Sequence, residues 1–303
     1  MHQIAILHDH PYRFQPLFSA LERAGIDYLS INTAGHVFDP ISGRAPAPVI
    51  FNRVAMSATF AGQPHPAHYA MALLDHWAGQ GALVLNGADA MAIDSSRARQ
   101  LALINRLGLA SPATRVVHDS DAMMIAAVAI GFPLVIRADI GEFSTDQHRF
   151  DNRDELETAI AYGDVPVSAN GLWLVQAVVR PRGGTITHIE VLGGRCLYAL
   201  DVQIGVDQLM SADAARRQPL ATRRSRRAEP PPNLIAAAEM LAREAGMESC
   251  GIQYLIDDQC GTPRFCDIKG LSVFVDDPMD MLGWDPDDRL VERLWHHIRR
   301  MGG

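Results

Sequence analysis

The sequence predicts an α/β protein that opens with a doubly wound parallel sheet and continues as two α+β units. Three observations carry this. Short apolar runs alternate with helix-periodic segments through residues 1–92. From Pro112 onward apolar strands recur with fewer helices between them. Helical segments also end on well-placed glycines, as at Gly25, Gly81, Gly108 and Gly246, where a residue without a side chain takes the left-handed turn that closes a helix.

Taken in order, residues 2–8 (His-Gln-Ile-Ala-Ile-Leu-His) read as a buried first strand and Phe14 to Ala24 as a helix. Tyr28 to Asn32 is a second strand, and Pro48 to Phe51 a third that ends at Asn52-Arg53. Tyr69 to Gln80 has helical spacing, and Leu83 to Leu85 is a short strand before Asn86-Gly87. Strands that alternate with helices pair in parallel, because each helix returns the chain to the same end of the sheet. A helix capped by Asp94 or Ser95 follows, with Leu101, Leu103, Ile104 and Leu107 on its apolar side.

Pro112 to Val117 starts a new unit. Helix Asp121 to Ile130, strand Leu134 to Arg137, a helix over 153–163 and strand Leu172 to Val179 make a compact stretch that reads as a small lid. The last third has strands near 186–192, 196–203, 250–256 and 263–268. Asn233 is the expected cap of a helix through Glu244, and Asp285-Pro286 opens a C-terminal helix through Arg300, with proline at its favoured first position. The boundaries expected are 1–92, 93–178 and 179–303.

Composition excludes several classes. The 303 residues are 48% hydrophobic and carry a net charge of −8, which argues against a general nucleic-acid binder. Four cysteines (Cys196, Cys250, Cys260, Cys266) lack C-x-x-C spacing, so they read as reduced, mostly buried thiols of a cytoplasmic protein and not as a zinc site. No run approaches about 18 apolar residues, so no membrane span is expected, and no signal peptide is seen. A homo-oligomer is left open.

Of the 27 basic residues only Lys269 is a lysine. It lies in Phe265-Cys266-Asp267-Ile268-Lys269, and strand alternation puts Phe265, Asp267 and Lys269 on one face. An ammonium beside a carboxylate in an apolar strand is costly without a ligand or a structural partner. Other polar groups read more plainly. His8-Asp9-His10, after the first strand, is a loop cluster that could touch a substrate. His65 and His68 suit a helix start or a pocket wall. Asp276-Asp277 and Asp287-Asp288 suit helix capping before metal binding. Arg216 to Pro232, with six arginines, is a solvated loop or an anion-facing flap.

Several short runs occur in a familiar order: Phe51-Asn52-Arg53-Val54, Val84-Leu85-Asn86-Gly87, Asp94-Ser95-Ser96-Arg97, Gly108 to Thr114, Phe132 to Arg137, Leu174-Val175-Gln176, Thr187 to Gly194, Gly251-Ile252-Gln253 and Phe265 to Lys269. Over nearly the whole chain this resembles the ATP-grasp superfamily and, within it, the RimK-like ligases. The resemblance implies an ATP-grasp fold: a Rossmann-like N-terminal domain, a small α+β lid and a C-terminal nucleotide-grasping α+β domain. It implies ATP-dependent joining of a carboxylate to an amine, on amino acids or peptides, through an acyl-phosphate, with ATP and magnesium as cofactors. Carried over by position, Arg97, Arg137, Gln176, Ala177, Val178 and Val179 would hold the nucleotide, Asp267 and Gln253 the metal, and Asp267, Lys269 and His188 would serve the chemistry.

The departures are informative. Two phosphate-holding lysines of the family correspond to Arg97 and Arg137, and guanidinium offers a planar fork where ammonium is a point charge. The glycine-rich loop reads Ile140-Gly141-Glu142-Phe143-Ser144-Thr145, with one glycine and an added acid. Ala177 replaces the hinge acid, His188 an arginine, Gln253 a metal-binding acid and Lys269 a metal-binding asparagine. One carboxylate and one amide beside an ammonium are a poor magnesium set. Two functions therefore compete: a ligase, and a non-catalytic homologue that binds a nucleotide, an anion or a partner.

Overall fold

The computed structural model describes residues 2–54, 66–140, 147–204, 225–275 and 277–302. The first sheet is parallel, in the order β2-β1-β3-β4, from β1 (Ile4–His8), β2 (Tyr28–Asn32), β3 (Val49–Arg53) and β4 (Leu83–Leu85). Strands β1 and β3 are buried along their whole length, as a parallel sheet covered on both faces requires. Helix α1 (Gln15–Arg23) packs on one face, with Leu17, Phe18 and Leu21 against Ile4, Ile6 and Phe51. Helix α2 (Pro66–Gly79) covers the other with Leu73, Leu74 and Trp77.

The helix expected after residue 94 is α4 (Arg97–Arg106), and a short helix not expected from the sequence, α3 (Ala88–Asp94), precedes it. The cap is Ser96, whose hydroxyl accepts from the Arg99 N–H. Asp94 and Ser95 do not serve. The second sheet is antiparallel, β5-β8-β6-β7, from β5 (Thr114–Val117), β6 (Leu134–Ala138), β7 (Gln147–Phe150) and β8 (Trp173–Ala177). Helices α5 (Asp121–Ile130) and α6 (Arg153–Tyr162) cover one face, with Met123, Ala127 and Leu156 packed on Leu134, Ile136 and Val175.

The third sheet is antiparallel and five-stranded, β11-β10-β9-β12-β13. Its strands are β9 (Pro181–Leu192), β10 (Arg195–Gln203), β11 (Ser225–Arg227), β12 (Ser249–Asp257) and β13 (Pro263–Lys269). Helix α7 (Pro232–Glu244) lies on one face, where Leu241 and Ala238 meet Ile189, Val191, Ile252 and Ile268. It starts at a proline, after Pro231 and not after an Asn233 cap. Two helices close the chain, the short α8 (Pro278–Leu282) and α9 (Pro286–Met301). Asp285 caps α9 by accepting from the Asp287 N–H at 3.0 Å, and Leu290, Leu294 and Ile298 bind it back to the first sheet's core.

Three side chains stitch the sheets together. Asn86 sits at φ 52 after β4. Its Nδ2 donates to the carbonyls of Ser249 (2.8 Å) and Gly270 (2.9 Å), and its Oδ1 accepts from the Glu248 N–H at 2.7 Å. Gln100 of α4 accepts from the Ile268 N–H at 3.0 Å and donates to the Ile268 carbonyl at 2.9 Å. Asp94 accepts from the Gly270 N–H at 2.9 Å. The C-terminal half of β13 is thereby fixed by residues from the end of β4, α3 and α4.

The face assignment of β13 needs one correction. Register between β12 and β13 runs Gly251↔Lys269, Ile252↔Ile268 and Gln253↔Asp267, then shifts so that Tyr254 pairs with Phe265. The extra residue, Cys266, makes a β-bulge, and a bulge reverses the alternation on one side of itself. Phe265 therefore joins the apolar core with Tyr254 and Ile268, its ring 5.7 Å from that of Tyr254. It does not share the face of Asp267 and Lys269. Of the cysteines, only Cys250 is fully buried and Cys260 is exposed; all four are free thiols.

Candidate functional site

The third sheet is apolar toward α7 and polar on its other face. Directly opposed residues of antiparallel strands point the same way, so the register defines two polar rows. One is His188–Gln253–Asp267 across β9, β12 and β13; the next is Glu190–Gly251–Lys269. Lys269 Nζ lies 3.6 Å from Asp267 Oδ2, with Lys269 30% exposed and Asp267 7%. The structure thus brings His188, Gln253, Asp267 and Lys269 together.

His188 does not stand up from the sheet. Its ring lies along it, over Gly251, with Nε2 3.0 Å from Glu190 Oε2 and Nδ1 3.4 Å from Gln253 Nε2. Glu190 is fully buried. The same Oε2 accepts the Ser272 hydroxyl at 2.5 Å, and Oε1 has no hydrogen-bond partner among the described residues. Across the junction with the first sheet, Arg53 at the end of β3 donates to the Ser272 carbonyl. Its guanidinium carbon sits 5.3 Å from the ring centres of both Phe14 and Phe51. Burial lowers the Arg53 pKa to about 10 against the attraction of Glu190 and Asp287. The two rings and the attraction of the two acids offset part of the cost of burying this cation between the first and third sheets.

Sequence reasoning missed Glu190, Ser272 and Arg53 as parts of the site. The signal was present for Glu190: an acid between Ile189 and Val191 in an otherwise apolar strand. Asp94 was read only as a cap. It lies beside Gly270, Asp267 and Lys269, and burial pushes its carboxyl up to about 7, with Asp267 adding to the rise and Gly270, Lys269 and Arg97 opposing it.

The second sheet carries two further candidates. Arg137 of β6 and Gln176 of β8 share a face, and Arg137 Nη1 donates to Gln176 Oε1 at 3.5 Å. Gln176 in turn donates to Thr114 Oγ1 at 2.8 Å. Burial, and then Asp267, push the Cys266 thiol up to about 12, while Arg137 and Lys269 oppose the rise. Arg97 opens α4. It is buried, and Nη1 donates to the carbonyls of Ala138 (3.0 Å) and Asp139 (3.1 Å), which ties α4 to the end of β6.

At the end of β8, two backbone N–H groups of the expected nucleotide-binding run bond within the protein. The Ala177 N–H donates to Ala113 O at 2.9 Å and the Val178 N–H to Pro133 O at 3.3 Å. Among the described residues' hydrogen bonds, none comes from the Val179 N–H. Val179 also packs on Ile186, Ile204 and Leu255, an apolar patch that suits a flat ring.

The remaining candidates fall elsewhere. His8 is buried, its Nε2 2.8 Å from Ser30 Oγ, and burial lowers its pKa. His68 is exposed on α2. Asp288 pairs with Arg23 at 2.6 Å, and Asp287 is pushed up to about 6, first by burial. Gly141 to Thr145, His65, Asp276 and the stretch Arg216 to Arg224 lie outside the described residues. A surface cavity of about 580 Å³ follows the edge strand β2, lined by Asn32, His36, Phe38 and Trp77, and includes none of the residues of the polar rows.

No family model matches the chain, and no curated protein sequence matches it. Solved structures do. A RimK domain ATP-grasp protein from Sphaerobacter thermophilus superposes with a TM-score of 0.71 at 17% identity, over 95% of this chain and 98% of that one. The D-cycloserine synthetase DcsG gives 0.70 at 16% identity, over 97% and 99%. The ATP-grasp ligase PsnB, complexed with a minimal precursor, Mg and ADP, gives 0.68 at 15% identity, over 98% and 97%. No helix among the described residues is long and apolar enough to cross a membrane. The three sheets and these full-length superpositions show that the chain has the ATP-grasp fold.

Proposed function

We propose that the chain is an ATP-dependent ligase of the carboxylate–amine kind, acting on an amino acid or peptide through an acyl-phosphate. The observation that supports this most is the polar row His188–Gln253–Asp267 with Lys269 beside it, on the face of the third sheet turned away from α7. The Val179 N–H and its apolar patch would take the adenine edge, and Arg137 and Lys269 the phosphates. ATP would supply the phosphoryl group that activates the carboxylate. A peptide is the favoured partner because PsnB and MdnC, two proteins of the same fold, were solved with precursor peptides. We place the unit boundaries near residues 92 and 178.

The residues present do not fit a magnesium ion. Magnesium favours several oxygen donors in an octahedron. The rows offer one carboxylate, Asp267, and one carboxamide, Gln253, with an ammonium 3.6 Å from the carboxylate. No group of three or more His, Cys, Asp or Glu side chains among the described residues is arranged to hold a metal. No catalytic step is assigned to a metal here. This donor set favours a second reading, in which the chain holds a nucleotide or a peptide without turnover.

Calorimetric titration with ADP, with and without magnesium, tests binding. ADP release over a library of amino acids and peptides tests turnover. Turnover abolished by Asp267→Ala supports the ligase. Tight ADP binding with no turnover on any acid–amine pair supports the second reading, and no nucleotide binding at all sinks both nucleotide-based forms.

A further inference from the structure

Glu190 is fully buried within the polar rows, and it touches both His188 and Ser272. Its Oε2 receives the Ser272 hydroxyl at 2.5 Å and faces His188 Nε2 at 3.0 Å. A carboxylate has no proton to give, so the nitrogen that faces it carries the hydrogen. In the neutral ring the lone pair is then on Nδ1. That atom faces Gln253 Nε2, an amide donor, at 3.4 Å. The two ends of the imidazole agree: acceptor against donor on each side. The opposite tautomer would set Nδ1–H against the amide N–H and a lone pair against a carboxylate.

The ring has little freedom to escape. Its Cε1 and Nε2 lie where a Cβ at position 251 would be 2.2 and 2.7 Å away, so the imidazole fills the space that glycine leaves. Gln253 is opposite both His188 and Asp267 in the ladder. With its nitrogen committed to His188, its oxygen is the end left for the row.

We propose that Glu190 is a positioning residue of this site: it holds His188 as the Nε2–H tautomer and so fixes which end of the Gln253 carboxamide a ligand meets. The row then presents two oxygens, from Gln253 and Asp267, to a hydrogen-bond donor, which suits the ammonium of an amine substrate better than a phosphate or carboxylate oxygen. Ser272 gives its hydroxyl to Glu190, and Arg53 holds the Ser272 carbonyl from the first sheet. The proposal rests on the reading of this row as the ligand site.

Long-range proton–nitrogen NMR on the uniformly ¹⁵N-labelled full chain tests it, with His188 assigned by the signal lost in His188→Gln. The wild type is expected to show the Nε2–H tautomer without any ligand. Glu190→Gln, whose amide can donate to Nε2, is expected to shift the ring toward Nδ1–H and to move the Gln253 side-chain NH₂ signal, assigned through Gln253→Glu. Ser272→Ala is expected to leave the tautomer unchanged. An Nδ1–H ring in the wild type overturns the proposal and needs no variant to fold. An unchanged tautomer in a folded Glu190→Gln, judged by its backbone amide spectrum, overturns it as well. The tautomer is read without ligand, so a failure of ADP to bind counts against the ligase reading alone.

Discussion

The His188 imidazole lies over the α-carbon of Gly251, so close that a Cβ there would stand 2.2 Å from Cε1. Glycine at 251 is therefore a packing requirement of the ring on the neighbouring strand. Its backbone has an ordinary strand conformation, so strain is not the reason. Gly251→Ala should push the ring off Glu190 and destabilise the protein by about 1–3 kcal/mol, the usual cost of overpacking. Urea unfolding measures it. The pair Gly251→Ala with His188→Ala should recover part of the loss, since the cost lies in their contact. Strictly additive losses would show that the ring is not what the methyl meets.

Lys269 is the charge nearest Asp267, and a third of its side chain is open. Lys269→Met should weaken ADP binding by roughly ten- to a hundredfold in the absence of divalent metal, since a charge-assisted hydrogen bond is worth about 1.5–3 kcal/mol. Calorimetry without added metal reads this directly. The double variant Gln253→Glu with Lys269→Asn should make ADP binding depend on magnesium, because it replaces an amide and an ammonium with two oxygen donors. Metal-independent binding by that variant would contradict the assignment.

Asp94 gives a pH prediction with a definite sign. Its folded pKa is about 7, raised from 3.8 chiefly by burial. The folded state therefore holds this proton more tightly than the unfolded chain. The stability linked to it is present below pH ~4 and is lost as pH rises toward 7. Asp94→Asn keeps an acceptor for the Gly270 N–H and removes the titration. The difference in melting temperature between variant and parent should grow in the variant's favour between pH 5 and pH 8. A constant difference would mean that Asp94 ionises in the folded protein as it does in the unfolded one.

Asn86 bonds the first sheet to the third through three backbone groups, of Ser249, Gly270 and Glu248. Asn86→Ala would remove their partner, at about 1–3 kcal/mol for the buried Ser249 carbonyl and less for the two part-buried groups. Asn86→Gly should be less damaging, because glycine tolerates the φ of 52° while losing the same bonds. Denaturant midpoints for the two variants test both the size and the order of the effects.

The sequence was most legible where periodicity is regular and uninterrupted. Helix α5 and strands β2 and β4 fall where spacing put them, and so does the Asp285 cap of α9. The ordered short runs also led to the right fold. Legibility failed where one residue changes the local count. Cys266 as a bulge moves Phe265 to the core face, and alternation alone contains no sign of it. Ser96, and not Asp94 or Ser95, caps α4, because the short helix α3 runs on through Asp94. Side-chain roles were harder still. Arg97 looked like a phosphate ligand by position, and alternation gave no sign that its Nη1 would also bond the carbonyls that end β6. Glu190 was hidden because a buried acid needs its partners to be understood, and those come from Ser272, 82 residues later.

Strand β13, which carries Asp267 and Lys269, is an outer strand of its sheet, and such strands invite a foreign chain to pair along them. The side-chain amide of Gln100 prevents this by imitation. It accepts from the N–H and donates to the carbonyl of Ile268, the same exchange that a neighbouring backbone would make. Ala110 takes the Phe265 N–H and Asp94 that of Gly270, so three successive docking points along this margin are already used. The strand holding the acid and the lysine is thus sealed against edge-to-edge aggregation, and Gln100→Ala is where that seal would first open.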